Sequence, residues 1–197
     1  MTSRSLTPDV RGATAKDILE LARKLNVRSM RLQFTDILGV NKNVEIPASQ
    51  FGKAVGGDIM FDGSSIQGFG RIGESDMLLS PDLETFRIFP WGPADARVAR
   101  LICDITMPTG DPFPGDPRGV LKRQIERAKS MGFVMNAGME PEFFLFRPAP
   151  GGGASTATHD VGGYFDLAPA DLGEDARRAM VDLLEQMGFE VEASHHE

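Results

Sequence analysis

The sequence predicts an α+β protein in two parts, and three segments carry this prediction. Residues 30–35 alternate apolar and polar side chains, as a half-buried strand does. Residues 96–105 form a longer and mostly apolar strand candidate. Residues 107–119, MPTGDPFPGDPRG, are dense in proline and glycine, which marks a domain boundary. We therefore expect a small sheet with a helix, followed by a second region that mixes helices and strands.

The composition is that of an ordinary globular protein. The chain has 197 residues, of which 41% are hydrophobic and 25% charged, enough for one large domain or two small ones. Its formal net charge of -7 leaves no basic excess to neutralise a phosphate backbone, so we expect no nucleic-acid partner. Cys103 is the only cysteine, which fits a reducing compartment. With neither a signal peptide nor a long apolar span in the sequence, we expect a cytoplasmic protein without a membrane segment.

The first part contains one predicted helix and a pair of strands before the strand at 96–105. Thr14 can cap a helix over 14–26, with Asp17 three residues further on. One face of this helix is apolar: Ile18, Leu21, Ala22 and Leu25. Residues 29–37 then predict a strand, and residues 38–46 a turn and a returning strand.

The second part begins with a helix that Asp116 can cap, with Pro117 at its first position and Gly132 at its end. Its predicted buried side consists of Val120, Leu121, Ile125, Ala128 and Met131. A strand over 139–146 and a flexible glycine-rich loop follow.

A third helix is predicted over 171–189, where Asp171 and Glu174 have the spacing of a capping box. It leads into a closing strand over 190–197. Because no turn or helix follows this strand, the pattern predicts a chain that is cut within a domain.

Glu140 and Glu142 are two residues apart, so a regular strand would point both carboxylates to one face. Two carboxylates this close repel unless a cation lies beside them or one keeps its proton. Oxygen ligands suit Mg²⁺ or Mn²⁺, which makes a metal site one interpretation. An edge strand with solvated glutamates, which Pro141 permits, is the other.

The last letters, EVEASHHE, bring further ligand types. On a regular strand His195 and Glu197 share one face, whereas Glu192 and His196 share the other. Alone, this pattern is as typical of hydrogen-bonded structural residues as of a metal site. Glu192 and Glu197 can face one cavity only if the strand bends or bulges between them.

Residues 60–82 are rich in glycine and serine and lack periodicity, so they predict a long loop, which includes Asp62. The segment lacks GxxxxGK[ST], which excludes a P-loop. Residues 68–73, GFGRIG, fit GxGxxG by their letters, but they lie within a predicted loop that opens no helix, so they do not indicate a Rossmann fingerprint. Its length favours a functional loop, and a plain hairpin connection is the alternative.

Four motifs occur together in order and spacing: FDGSSIQGFGRIGESDMLLSPD, EPEFFLF, GGYFDLAPADLGED and EVEASHHE. Together they resemble type I glutamine synthetase, the bacterial dodecameric class, from about residue 25 to residue 197. The resemblance implies the N-terminal portion of a longer chain. It implies an N-terminal segment over 1–14, a β-grasp domain over 15–108 and the truncated start of a catalytic α/β domain over 112–197.

The resemblance also implies ligand roles. Glu142 and Glu197 match ligands of the metal that binds the substrate glutamate. Glu140 matches a ligand of a second metal, which bridges the ATP phosphates, so two Mg²⁺ or Mn²⁺ ions per site are implied. Glu192 matches a residue that contacts ATP.

An ammonium pocket is implied as well, formed by Asp62, Ser65, Tyr164 and Glu197. Asp62 would act as the catalytic base on the active site of a neighbouring subunit, and Glu197 would share in catalysis. Arg71 matches a position that takes part in feedback inhibition in one branch of the family.

The implied activity is the ATP-dependent ligation of ammonia to L-glutamate through γ-glutamyl phosphate, in nitrogen assimilation. The implied assembly is a homododecamer whose active sites are shared between adjacent subunits. Two alternatives stay open: a related γ-glutamyl-polyamine ligase, and a non-catalytic protein that resembles the synthetase.

We predict that the 197-residue chain alone does not synthesise glutamine. The resemblance implies that further metal ligands and the substrate-binding arginines lie downstream of these residues. The measurement is glutamine formation by the purified chain with glutamate, ammonium, ATP and Mn²⁺. Product that depends on both ATP and the metal would contradict this expectation.

Overall fold

A computed structural model describes residues 5–66 and 76–197. Arg71 lies outside the described residues. The chain forms two compact units, residues 6–135 and residues 136–197. No helix in the described part of the chain is long and apolar enough to cross a membrane.

The first unit contains a five-stranded mixed sheet of order β2-β1-β5-β4-β3. Its strands are β1 (Val27–Thr35), β2 (Asn41–Pro47), β3 (Ile59–Asp62), β4 (Asp76–Ile88) and β5 (Arg97–Thr106). The central pair, β1 and β5, is parallel, and every other pair is antiparallel. Together with two helices, α1 (Ala15–Lys24) and α2 (Phe51–Gly56), the sheet confirms the predicted α+β class.

The core of this unit lies between one face of the sheet and the helices α1 and α2. Thr14 and Asp17 form the predicted capping box, in which the Thr14 amide donates to Asp17 Oδ2 at 2.8 Å. Ile18 of α1 is fully buried, as are Met30 and Leu32 on alternate positions of β1. This alternation confirms the prediction of a half-buried strand.

Helix α3 (Pro117–Ser130) begins where predicted, with Asp116 as its N-cap and Pro117 at its first position. Its predicted buried side is wrong, since no residue of α3 is buried and Leu121 and Ile125 are more than half exposed. Ion pairs hold the start of α3 against strands β4 and β5 instead. Arg118 donates to Asp82 at 2.6 Å and to Asp104 at 2.7 Å, at the end of the helix nearest the sheet.

The second unit has one regular element, α4 (Glu174–Gln186). The predicted capping box is wrong, because the N-cap is Gly173, which has no side chain to cap the helix. Residues 139–146 and 190–197, both predicted as strands, form no ladder, and only an isolated bridge joins Phe146 to Thr158. A strand needs a neighbour along its whole length, and here the backbone pairing is confined to a few bonds, such as that from Arg147 N to the Ala157 carbonyl at 2.9 Å.

We predict that Asp116→Ala lowers the free energy of unfolding by about 2 kcal/mol. The Asp116 carboxylate is buried and accepts from Arg118 N at 3.1 Å and from Ile105 N at 3.2 Å. Its loss therefore removes the cap of α3 and takes a hydrogen-bond acceptor away from the buried Ile105 amide. Urea unfolding measures the change. The control is Asp95→Ala on the exposed turn before β5, which should stay within about 0.5 kcal/mol of wild type. Equal losses in the two variants would contradict the role of Asp116.

Candidate functional site

Asp62 lies at the end of β3, opposite Asp76 of β4. Its Oδ1 accepts from Ser64 N at 2.8 Å, which caps the short turn Gly63–Ser65. The exposed Asp62 carboxylate is therefore oriented by its own turn at the sheet edge. Ser65 is part of that turn. The predicted loop over 60–82 is thus partly strand, since its two ends pair as arms of a hairpin.

Glu140 and Glu142 lie in extended backbone in the second unit, and both side chains are exposed. Among the described residues, no hydrogen bond or ion pair is recorded for either carboxylate. Their four oxygens can therefore accept a cation without breaking a contact, and carboxylate oxygens are the donors that Mg²⁺ and Mn²⁺ prefer. The two glutamates fit a divalent metal in exposure and donor type.

The C-terminal residues meet the loop that carries Tyr164. The His195 ring lies edge-on to the Tyr164 ring, with centroids 5.3 Å apart, and His195 Nδ1 is 3.5 Å from Glu197 Oε2. The structure therefore brings Tyr164 and Glu197 together around one imidazole. Glu192 is exposed on the same extended segment, and within the described residues it has no recorded contact with this group.

His196 contacts two polar groups of the loop around Gly163 with its ring nitrogens. Its Nε2 lies 2.9 Å from Asp160 Oδ1, and its Nδ1 lies 3.0 Å from the Gly163 carbonyl oxygen. Because a carbonyl and a carboxylate both accept hydrogen bonds, the two ring nitrogens donate at the same time only when the imidazole is protonated. The Asp160 hydrogen bond accordingly raises the pKa of His196, and the same bond lowers the pKa of Asp160.

Asp171 is the buried carboxylate of this unit, with its side chain 1% exposed. It accepts from Arg177 with both oxygens and from Gly173 N at 2.8 Å. The Arg177 hydrogen bonds lower the pKa of Asp171 to about 2. A buried ion pair thus ties the first turn of α4 to the residues just before it.

Asp160, Asp171 and His196 each present a ligand atom, and the three atoms lie within 4.8 Å of one another. Both nitrogens of the His196 ring already face hydrogen-bond acceptors, however, and Asp171 forms an ion pair with Arg177. We interpret this group as an ion-pair network. It borders a cavity of about 330 Å³. The cavity is lined by Asp166, Leu167, Asp171, Glu174, Arg177, Arg178, Val181, Ser194, His195 and His196.

Sequence reasoning missed Asp160 and the pairing of Asp171 with Arg177. Asp160 and His196 are 36 positions apart, and no periodic pattern connects two residues across a loop and a helix. The available signal was indirect: an acidic residue just before the GGYF motif and a histidine pair at the other end of the same unit.

Comparison with known proteins covers nearly the whole chain. The family model "Glutamine synthetase, beta-Grasp domain" matches residues 26–108, and the model "Glutamine synthetase, catalytic domain" matches residues 114–197. The chain is 62% identical to the glutamine synthetase of Thermus thermophilus over 94% of its own length and 43% of the relative's. It is 57% identical to that of Staphylococcus epidermidis, over 100% of this chain and 43% of the relative.

Solved structures support the same fold. The chain aligns with the cryo-EM structure of Plasmodium falciparum glutamine synthetase with a TM-score of 0.71, at 18% identity, over 100% of this chain and 43% of that one. At this identity the likeness concerns the fold alone. The chain spans less than half the length of the curated relatives that it matches.

We predict that Asp171→Asn destabilises the protein at pH 7 and that the difference from wild type narrows as the pH falls from about 4 to about 2. The folded pKa of Asp171 is depressed, so its contribution is present above the unfolded pKa and is lost as the pH falls through the folded value. Thermal unfolding of both proteins across this pH range measures the difference in stability between Asp171→Asn and wild type.

The matched control for this prediction is Asp175→Asn on the same helix, where the side chain is 99% exposed and pairs with Arg178. Exposed pairs contribute little, so this variant should follow wild type at every pH. A gap between Asp171→Asn and wild type that stays constant down to pH 2 would contradict the role of the ion pair.

Proposed function

The chain belongs to the glutamine synthetase family, and on this premise we propose that the protein ligates ammonia to the γ-carboxylate of L-glutamate with ATP. A γ-carboxylate oxygen attacks the γ-phosphorus of ATP, and ADP leaves, which gives γ-glutamyl phosphate. Ammonia then attacks the activated carbonyl carbon, and phosphate leaves. The observation that best supports this proposal is the meeting of Tyr164 and Glu197 at His195, because it joins two residues that the ammonium pocket requires.

Glu140, Glu142 and Glu197 are the proposed metal ligands, with Glu142 and Glu197 on the ion next to glutamate and Glu140 on the ion next to ATP. When bound, the Mg²⁺ or Mn²⁺ ions supply positive charge that offsets the phosphates. The exposure of Glu140 and Glu142 and their lack of recorded partners within the described residues support this role. Glu192 is proposed to contact ATP.

Asp62, Ser65, Tyr164 and Glu197 are the proposed ammonium pocket. Carboxylates supply negative charge and acceptors, which suit NH₄⁺, and Asp62 takes the proton that ammonium must lose before it attacks. The capping bond from Ser64 N supports this role, since it orients the exposed Asp62 carboxylate.

The proposed assembly is a homododecamer in which Asp62 reaches the active site of an adjacent subunit. Arg71 is proposed to take part in feedback inhibition. The proposed compartment is the cytoplasm, which the buried single thiol of Cys103 suits.

The competing proposal within the family is ligation of glutamate to a polyamine. Asp62, Ser65 and Tyr164 all match the ammonium pocket that the resemblance implies, which favours ammonium. Competition between ammonium and a diamine, assayed on the protein expressed from its complete reading frame, separates the two. Preferential consumption of the diamine would overturn the ammonium assignment.

We predict that this full-length protein forms glutamine with ATP and Mg²⁺ or Mn²⁺, and that Glu142→Gln lowers the rate more than about 100-fold, since losing a metal ligand should exceed the cost of losing an outer-shell partner. The matched control is Glu126→Gln on α3, where the side chain is 70% exposed and lies 3.8 Å from Lys129. This control should keep the wild-type rate.

Two outcomes would overturn the proposed function. The first is a wild-type protein that binds Mn²⁺ but forms no glutamine, which points to the non-catalytic alternative. The second is a Glu142→Gln protein that is as active as the Glu126→Gln control.

A further inference from the structure

We propose that Asp160 and His196 form a clamp that positions Tyr164 beside Glu197 and so sets the affinity for ammonium. This inference rests on the proposed function. Neither residue is proposed to touch a substrate, so both are positioning residues.

The clamp acts on the two residues that flank Tyr164. His196 Nδ1 donates to the Gly163 carbonyl at 3.0 Å, and the His196 carbonyl accepts from Phe165 N at 3.0 Å. The backbone on both sides of Tyr164 is therefore bonded to a single residue. Since that residue directly precedes Glu197, the position of Tyr164 relative to Glu197 depends on it.

Asp160 fixes the clamp at its other side. One oxygen of its carboxylate accepts from His196 Nε2 at 2.9 Å, and the other accepts from Leu172 N at 2.8 Å. Leu172 lies next to Asp171, whose ion pair with Arg177 holds the start of α4. The clamp is thus tied to the one regular helix in the described part of this unit.

The backbone under the His196 ring leaves no room for a side chain. A Cβ at Gly162 would lie 3.1 Å from His196 Cε1 and Nε2, and 3.3 Å from the Ala170 carbonyl. Phe165 has φ of 61°, which is uncommon for a residue other than glycine. A loop that holds an unfavourable backbone angle needs surrounding contacts to maintain it, and the bond from Phe165 N is one of them.

Loss of the clamp should act on ammonium more than on glutamate. Tyr164 belongs to the proposed ammonium pocket alone, whereas Glu197 is also a proposed ligand that a bound metal would hold. When the Asp160 bond is lost, the loop with Tyr164 moves while Glu197 keeps its second anchor. We therefore expect a change in the KM for ammonium with little change in the KM for glutamate.

The test uses steady-state kinetics on the protein expressed from its complete reading frame. Asp160→Ala should raise the KM for ammonium roughly 10- to 100-fold and the KM for glutamate less than about 3-fold, as expected for an outer-shell partner of one subsite. Asp160→Asn keeps an acceptor for His196 and should recover most of the ammonium affinity. Asp175→Ala, an exposed carboxylate on α4, is the control and should match wild type.

A second variant keeps the test decisive if Asp160→Ala fails to fold. Gly162→Ala pushes a methyl group against the His196 ring without removing a polar contact, and it should raise the KM for ammonium selectively. The clamp is overturned if every folded variant keeps the wild-type KM for ammonium, or if the KM for ammonium and the KM for glutamate rise together. An unmodified protein that forms no glutamine overturns the proposed function instead.

Discussion

The arrangement of the second unit depends on two carboxylates and their side-chain partners, Asp160 with His196 and Asp171 with Arg177. Asp160 lies 2.9 Å from His196 Nε2, and Asp171 accepts hydrogen bonds from Arg177 with both carboxylate oxygens. The unit has a single regular helix among its described residues and little buried apolar surface, so backbone ladders and a core cannot fix its loops. Removing His196 or Arg177 would leave a poorly solvated carboxylate without its hydrogen-bond partner, which is why these contacts determine where the loop lies.

The first unit is stabilised differently. Its sheet has fully buried residues on one face, and the parallel pairing of β1 with β5 at its centre places β3 at one edge. Asp62 ends that edge strand and is oriented by its own turn. The sheet therefore supplies a rigid support for an exposed carboxylate, as an acceptor that acts on a neighbouring subunit would need. Helix α3 is attached through Arg118 and leaves its apolar side uncovered.

Local patterns predicted the first unit well, because a capping box, an alternating strand and a proline at the first helical position each involve residues close in sequence. The Thr14 cap, β1 and the start of α3 are confirmed for this reason. The errors concern contacts with distant partners: Leu121 is exposed, residues 139–146 form no ladder, and Asp171 pairs with Arg177 instead of capping α4. The candidate site residues were predicted from motif resemblance. The Asp160–His196 contact was not predicted, because it joins residues 36 positions apart.

The central claim is that the carboxylates of Glu142 and Glu197 form a metal site and that Asp160, Asp171 and His196 form an ion-pair network. The most direct measurement is a crystal structure of the protein from its complete reading frame grown with Mn²⁺, with the ion located by anomalous scattering. We expect an ion within about 2.5 Å of carboxylate oxygens of Glu142 and Glu197. An ion bound instead by Asp160, Asp171 and His196, with Glu142 and Glu197 unliganded, would contradict it.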